Sequence, residues 1–274
     1  MRLSFSLGMT QLLPALTCGP ALHILLPSSS QARNRDEPKP AALVNVRKPR
    51  SESMRTGLMV VAILCMPLLA AAQDPLTVDP GHYKVLLEND HVRVLKIKYG
   101  AHEKSVLHEH PDAVAVFLTD SDAKFTSPDG TSTPASRKAG EVQFAPSGKH
   151  LPENVGDKPF EVVLVELKGK QAPAAAVSLD AVKVDPEHHE VVLENERVRV
   201  LRIKFAAHDK TKEHEHPESV AIFLTGGESK VTTADGKTRK GGGEAGGATW
   251  LARERHVVEN PHAKPAEVIL VELK

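Results

Sequence analysis

Aromatic side chains are scarce: phenylalanine, tyrosine and tryptophan together make up 4% of the 274 residues. Base stacking on protein needs rings in series, so nucleic-acid binding of that kind is disfavoured. Net charge is missing as well. Lys+Arg and Asp+Glu number 35 each, and positions 1–72 hold eight of the former and three of the latter, which leaves 73–274 at a net charge of −5. Such a balance offers no basic surface for a polyanion. There are two cysteines, Cys18 and Cys65, both before position 73. The rest of the chain therefore has no disulfide, no thiol nucleophile and no cysteine metal ligand. Helical periodicity is not sustained anywhere in 74–168 or 180–274. A parallel α/β sheet needs crossover helices and is excluded. No phosphate-binding glycine loop, Ser-His-Asp set or Cys-His pair is present. Gly241-Gly242-Gly243 follows no apolar strand and opens no helix, so it reads as a flexible turn.

The first 72 residues differ in character from the rest of the chain. Positions 1–53 are rich in Pro, Ser and Arg, and their weakly apolar stretch is broken by Pro14 and Pro20. They read as a disordered leader or an over-extended start. From Met54, Arg55 gives a short basic region, 58–69 an apolar core, and Ala70-Ala71-Ala72 a small-residue cleavage pattern before Gln73. This is the layout of a secretory signal peptide, assigned to 54–72. Its apolar run falls short of the ~20 residues that a spanning helix needs. Translation from Met54 and a periplasmic or secreted product are expected, with no membrane contact in the mature form.

Beyond position 73 the chain is a duplication. Residues 74–168 and 180–274 align without a gap at an offset of 106, with about 45 of 95 positions identical. Both copies end in Val-Glu-Leu-Lys, and 169–179, rich in Ala and Pro, reads as a linker. Within each copy the signals are those of β structure. Strand-like runs cover 85–88, 92–99, 114–119, 141–145 and 160–167, and Asp129-Gly130 and Asp235-Gly236 mark hairpin turns. Seven or so short strands in so few residues predict an all-β sandwich or barrel.

His108-Glu109-His110-Pro111 recurs as His214-Glu215-His216-Pro217. Side chains two apart on a strand share a face, and neutral imidazole is the commonest protein metal ligand. A third histidine aligns in each copy, His150 and His256, forty residues beyond the pair. That spacing suits ligands gathered from opposite strands of one small barrel. Glu109 and Glu215, between the paired histidines, should point outward as solvated carboxylates. His102 and His208 read as surface groups. Asn154 and Asn260 read as loop-structuring residues, and Asp112 and Glu218 as turn residues. His82 and His188 recur without an assigned role.

With Gly140, Pro146, Gly148, His150 and Asn154 following the His-x-His pair, the chain resembles the cupin superfamily, and as a tandem pair it resembles a bicupin. The resemblance covers nearly all of 74–274. It implies two double-stranded jelly-roll barrels, cupin domains over 74–168 and 180–274. His108, His110 and His150 would hold a divalent metal in the first, and His214, His216 and His256 in the second. The glutamate of the first cupin motif would fall at 114 or 115, where Val114 and Ala115 stand, with Val220 and Ala221 in the second copy. His102 and His208 replace that motif's glycine. Ala252 and Glu254 replace the second motif's Pro and Gly, so the second site is expected to be the weaker.

The expected cofactor is a divalent transition metal, and imidazole suits iron, zinc, manganese, nickel and copper without choosing among them. Three neutral ligands leave coordination positions open, as catalysis requires, and the charge they leave on the metal favours an anionic ligand. The sequence thus supports a metal-binding bicupin, a dioxygenase-type or related metalloenzyme acting on a small anionic molecule. A non-enzymatic module that binds a small molecule or a metal stays open beside it, as do a sugar isomerase and association into a homo-oligomer.

Overall fold

The computed structural model describes residues 73–169 and 176–274. The leader at 1–53, the signal peptide at 54–72 and most of the linker at 169–179 lie outside them. Among the described residues no helix is long and apolar enough to cross a membrane.

Each copy opens on a single helical turn, α1 (Pro75–Val78) and α2 (Ala181–Val184), capped by Asp74 and Asp180, whose carboxylates accept from Leu76 N and Val182 N. These are ordinary N-caps. Everything else is strand. The first copy has β1 (Tyr83–Glu88), β2 (Val92–Tyr99), β3 (His108–His110), β4 (Ala113–Phe117), β5 (Ser121–Thr126), β6 (Ser132–Arg137), β7 (Val142–Ala145), β8 (Gly148–Asn154) and β9 (Phe160–Leu167). The second has β10 (His189–Glu194), β11 (Val198–Phe205), β12 (His214–His216), β13 (Ser219–Phe223), β14 (Gly227–Thr233), β15 (Thr238–Gly243), β16 (Ala248–Leu251), β17 (Glu254–Glu259) and β18 (Ala266–Leu273). In the first copy a five-stranded sheet, β1-β2-β9-β4-β7, faces a four-stranded sheet, β3-β8-β5-β6. The second copy repeats this as β10-β11-β18-β13-β16 and β12-β17-β14-β15. This is the two-sheet jelly roll, made of antiparallel pairs throughout.

Strand alternation explains how the two barrels sit. On β2, Leu95, Ile97 and Tyr99 point into the barrel, whereas Val92 and Val94 point out. The outward residues are as apolar as the inward ones. On the larger sheet Val92, Val94, Val114, Val116, Val163 and Val165 form one core cluster with their counterparts in the second copy, which include Val198, Val200, Ile222 and Val271. The barrels are packed back to back through the same face of each. The arrangement is isologous, with one patch meeting its own copy. It also accounts for near-continuous apolar strands where a one-faced sheet would alternate. Polar ties flank it: Arg197 donates to Asp112 Oδ2 at 2.9 Å, and Arg202 donates to the Gly140 carbonyl.

Gly241-Gly242-Gly243 is not a turn. It forms the end of β15, paired with Gly227, Glu228 and Ser229 of β14. A Cβ at Gly243 would stand 2.5 Å from the Phe223 ring, and one at Gly241 2.7 Å from Ser229 Oγ. Close packing calls for glycine at all three positions, and Gly242 in addition adopts a left-handed φ of 84°, uses of glycine that strand patterns signal only weakly.

Candidate metal centre

The short strand β3 carries His108 and His110 on one face, and β8 carries His150 directly opposite His108 in the antiparallel register. The third histidine thus comes from the neighbouring strand of the same sheet, not from the opposite side of the barrel. The same register joins His214 to His256 across β12 and β17. In the first barrel the three imidazoles each offer a nitrogen, and those atoms lie within 4.8 Å of one another.

Hydrogen bonds at the other ring nitrogen fix which atom is offered. His108 Nδ1 lies 2.8 Å from the Val106 carbonyl, and His110 Nδ1 lies 2.6 Å from Glu166 Oε1. A carbonyl and a carboxylate only accept, so each Nδ1 carries the proton and each Nε2 keeps its lone pair. This is the outer arrangement that orients metal-ligating histidines in proteins. Glu166 is 1% exposed and also accepts from Arg93 Nε. Burial alone would raise its pKa, but the hydrogen bonds from His110 and Arg93 hold the carboxyl below its usual range. Glu166 is a different carboxylate from the one absent at 114–115. It comes from β9, and it bonds the far nitrogen of the ring. Ala115 and Ala221 leave the barrel wall bare where the motif's glutamate would stand.

The second barrel repeats these partners and adds one. His214 Nδ1 donates to the Lys212 carbonyl at 2.7 Å, and His216 Nδ1 to Glu272 Oε1 at 2.7 Å. Glu272 is 1% exposed and accepts from Arg199. The added residue is His189, the first residue of β10. Its Nδ1 donates to the Asp185 carbonyl at 2.9 Å, and its buried Nε2 has no hydrogen-bond partner. His189, His214 and His216 offer nitrogens within 4.8 Å of one another. His256, read from sequence as the third ligand, stands a little apart from that set. Its ring lies edge-on to His214 at 4.8 Å and 5.6 Å from His216, with Nδ1 3.2 Å from Glu254.

At the position aligned with His189 the first barrel has Tyr83. Its hydroxyl lies 2.9 Å from His108 Nε2 and 2.9 Å from the Tyr99 hydroxyl. Because His108 Nδ1 carries that ring's proton, Tyr83 donates to Nε2 and accepts from Tyr99.

Burial keeps His108, His150, His189, His214 and His256 neutral. Desolvation lowers His150 to about 3, His189 and His256 to about 4, and His214 to about 2, with neighbouring imidazoles adding to the effect. His108 is lowered for the same first reason. Neutral, buried, pre-oriented imidazoles fit a divalent transition metal.

The remaining sequence-selected residues lie nearby. His102 and His208 are at the surface and adopt φ of 60° and 58°, the left-handed conformation that the motif's glycine would take without cost. Asn154 and Asn260 bridge loop backbone: their amides donate to the Gly100 and Lys158 carbonyls and to the Ala206 and Lys264 carbonyls. Asp112 accepts from Ser147 N. Glu109 points out towards Lys149. Glu215 also points out but is buried, not solvated. It accepts from Ser178 N and Oγ and from Arg253 Nε, and these bonds hold its carboxyl down at about 2. His82 stacks on Tyr99 with ring centroids 4.3 Å apart.

The second barrel also holds a cavity of about 850 Å³ that reaches the histidines. Ile203, Phe205, Ala221 and Leu270 contribute apolar wall, and four cationic side chains line it against two carboxylates.

Several solved structures share the two-barrel fold. AerE from Microcystis aeruginosa superposes with a TM-score of 0.51 at 13% identity, over 70% of this chain and 97% of that one. A tryptophan-to-tyrosine variant of oxalate decarboxylase from Bacillus subtilis gives a TM-score of 0.52 at 13% identity, over 69% and 71%. The fold is that of a bicupin. At such identities the likeness concerns the bicupin fold alone. No family model matches the chain, and no curated protein sequence matches it either.

Proposed function

We propose that this bicupin binds a divalent transition metal through its inward imidazoles and uses it to hold a small anionic molecule. The observation that carries the reading is the set of outer partners. In both barrels a buried glutamate and a backbone carbonyl accept from the Nδ1 atoms of the His-x-His pair, which leaves each Nε2 as the unprotonated nitrogen of its ring. His108, His110 and His150, and His214, His216 and His256, are the residues proposed to bind. A metal there would supply Lewis acidity and a binding charge. Arg239, Lys240 and Arg253 at the second cavity are paired with Glu254, Glu228 and Glu215, so the preference for an anionic ligand rests on the charge of the metal itself.

Two uses fit such a site, turnover by a dioxygenase-type or related metalloenzyme and binding without turnover. The cavity wall carries titratable side chains, Glu228, Glu254, Lys240 and Lys264 among them, so general acid-base chemistry has groups to draw on and turnover stays open beside binding. A sugar isomerase is a third use, which the wall's polar side chains, Thr225, Ser229 and Thr249 among them, allow. The proposal extends to export: translation from Met54, cleavage before Gln73, and two cupin domains over 74–168 and 180–274 in the periplasm or outside the cell.

Calorimetric titration of the metal-loaded protein with a small dicarboxylate and with a neutral sugar tests the ligand class. Preference for the dicarboxylate is expected. Equal affinity for both would remove the anionic reading. Product formation in the same mixtures would replace the binding module by an enzyme.

A further inference from the structure

The two copies are identical at about 45 of 95 positions, yet their interiors differ at the residues that matter for a metal. Tyr83 in the first barrel is His189 in the second. The phenol occupies the lone pair of His108 Nε2, and it is itself held in place by Tyr99. A phenol carries its proton at neutral pH, so the Tyr83 hydroxyl is a donor to that nitrogen. In the second barrel Phe205 replaces Tyr99, no phenol is present, and the buried Nε2 of His189 has no hydrogen-bond partner. A buried polar atom without a partner is costly, and here it lies among the other imidazole nitrogens.

The space around the imidazoles differs in the same sense. Phe125 packs on His150 with centroids 5.2 Å apart, and Phe160 packs on Tyr99 at 5.3 Å. The aligned residues of the second barrel are Val231 and Ala266, and both line its cavity. Side-chain volume is thus removed and an aromatic cap lost in one copy only.

We infer that the metal and ligand site of this protein is in the second barrel, with His189 as an additional metal ligand beside His214 and His216, while Tyr83 caps the first barrel's triad and keeps it from competing. This rests on the proposed metal binding and reverses the order expected from the loop before His256. The first barrel then serves as the packing partner that covers the apolar back of the second.

The test is titration of the metal-free full-length chain with zinc(II) alone, read by calorimetry and by bound metal after gel filtration. One tight equivalent per chain is expected, at least tenfold tighter than any second. His189→Tyr should weaken that equivalent at least tenfold. Tyr83→Phe frees His108 Nε2 with little change of shape, and Tyr83→His supplies the fourth imidazole. Either should bring a second equivalent to within tenfold of the first. Thermal melts of each variant identify a fold failure, and the Tyr83→Phe result carries the test if Tyr83→His misfolds. Two equal sites in the wild type, or His189→Tyr with unchanged affinity, would overturn the inference and leave the metal reading standing. No zinc in any variant or in the wild type would overturn both.

Discussion

Replacing Glu272 by Gln changes one atom and removes one charge, and its consequences can be followed through the hydrogen bonds. Glu272 Oε1 accepts from His216 Nδ1 at 2.7 Å, and the other oxygen accepts from Arg199 Nε. Glutamine keeps the shape but has one acceptor and one donor. If its carbonyl stays on Arg199, its amide faces His216 Nδ1. The ring must then move its proton to Nε2, and the lone pair that faces the other imidazoles is lost. If the carbonyl faces His216, two donors meet at Arg199 in a site where Glu272 was 1% exposed. Loss of an outer partner typically weakens a metal site by about 10–100-fold, or about 1.4–2.8 kcal/mol. Removing one member of a buried ion pair costs about 3–5 kcal/mol. Arg199 keeps Asp180 at 2.6 Å, so the stability loss should lie near the lower end, about 3 kcal/mol. Zinc titration and thermal melts of wild type and E272Q measure the two effects separately. A lowered melting temperature with unchanged zinc affinity would refute the account, because Glu272 would then be a packing partner of Arg199 and nothing more.

Three further outcomes are expected. His102→Gly and His208→Gly should each stabilise the protein by up to about 1 kcal/mol, since a left-handed non-glycine residue costs about 1–2 kcal/mol, partly offset by the entropy of glycine; a lower melting temperature would contradict this. Refilling the second cavity with Ala266→Phe should abolish dicarboxylate binding while changing the melting temperature by only a few degrees; undiminished binding would place the ligand elsewhere. For the metal-free protein, folded-state His189 and His256 titrate at about 4 because of burial, against about 6.5 in an unfolded chain. The unfolded state therefore binds more protons between those values, and stability should fall as pH drops from about 6.5 to about 4. Urea denaturation across that window would show it, and a flat profile would contradict it.

The repeat, the all-β class and the inward histidines were legible in the sequence because each leaves a local mark. A duplication is visible as a register, turns as Asp-Gly, and a shared strand face as His-x-His. What was not legible came from long-range pairing. Glu166 and Glu272 close their ring contacts across 56 residues, and nothing within one strand marks them as different from the exposed glutamates around them. His189 was passed over for a different reason. Attention to histidines kept in both copies discards a position where one copy has tyrosine. The doubled His188-His189 at the start of a strand was the available signal, since of two adjacent residues one must face inward. The glycines of β15 were misread because their reason is a neighbouring ring and hydroxyl, Phe223 and Ser229, that only the folded sheet brings near.

The central claim is that imidazoles inside the barrels hold a divalent metal. Its most direct measurement is an anomalous difference map at the zinc edge from crystals of the zinc-loaded protein. A peak is expected among His189, His214 and His216, and a weaker peak or none beside Tyr83. A map without density inside either barrel, at zinc concentrations that shift the melting temperature, would contradict it.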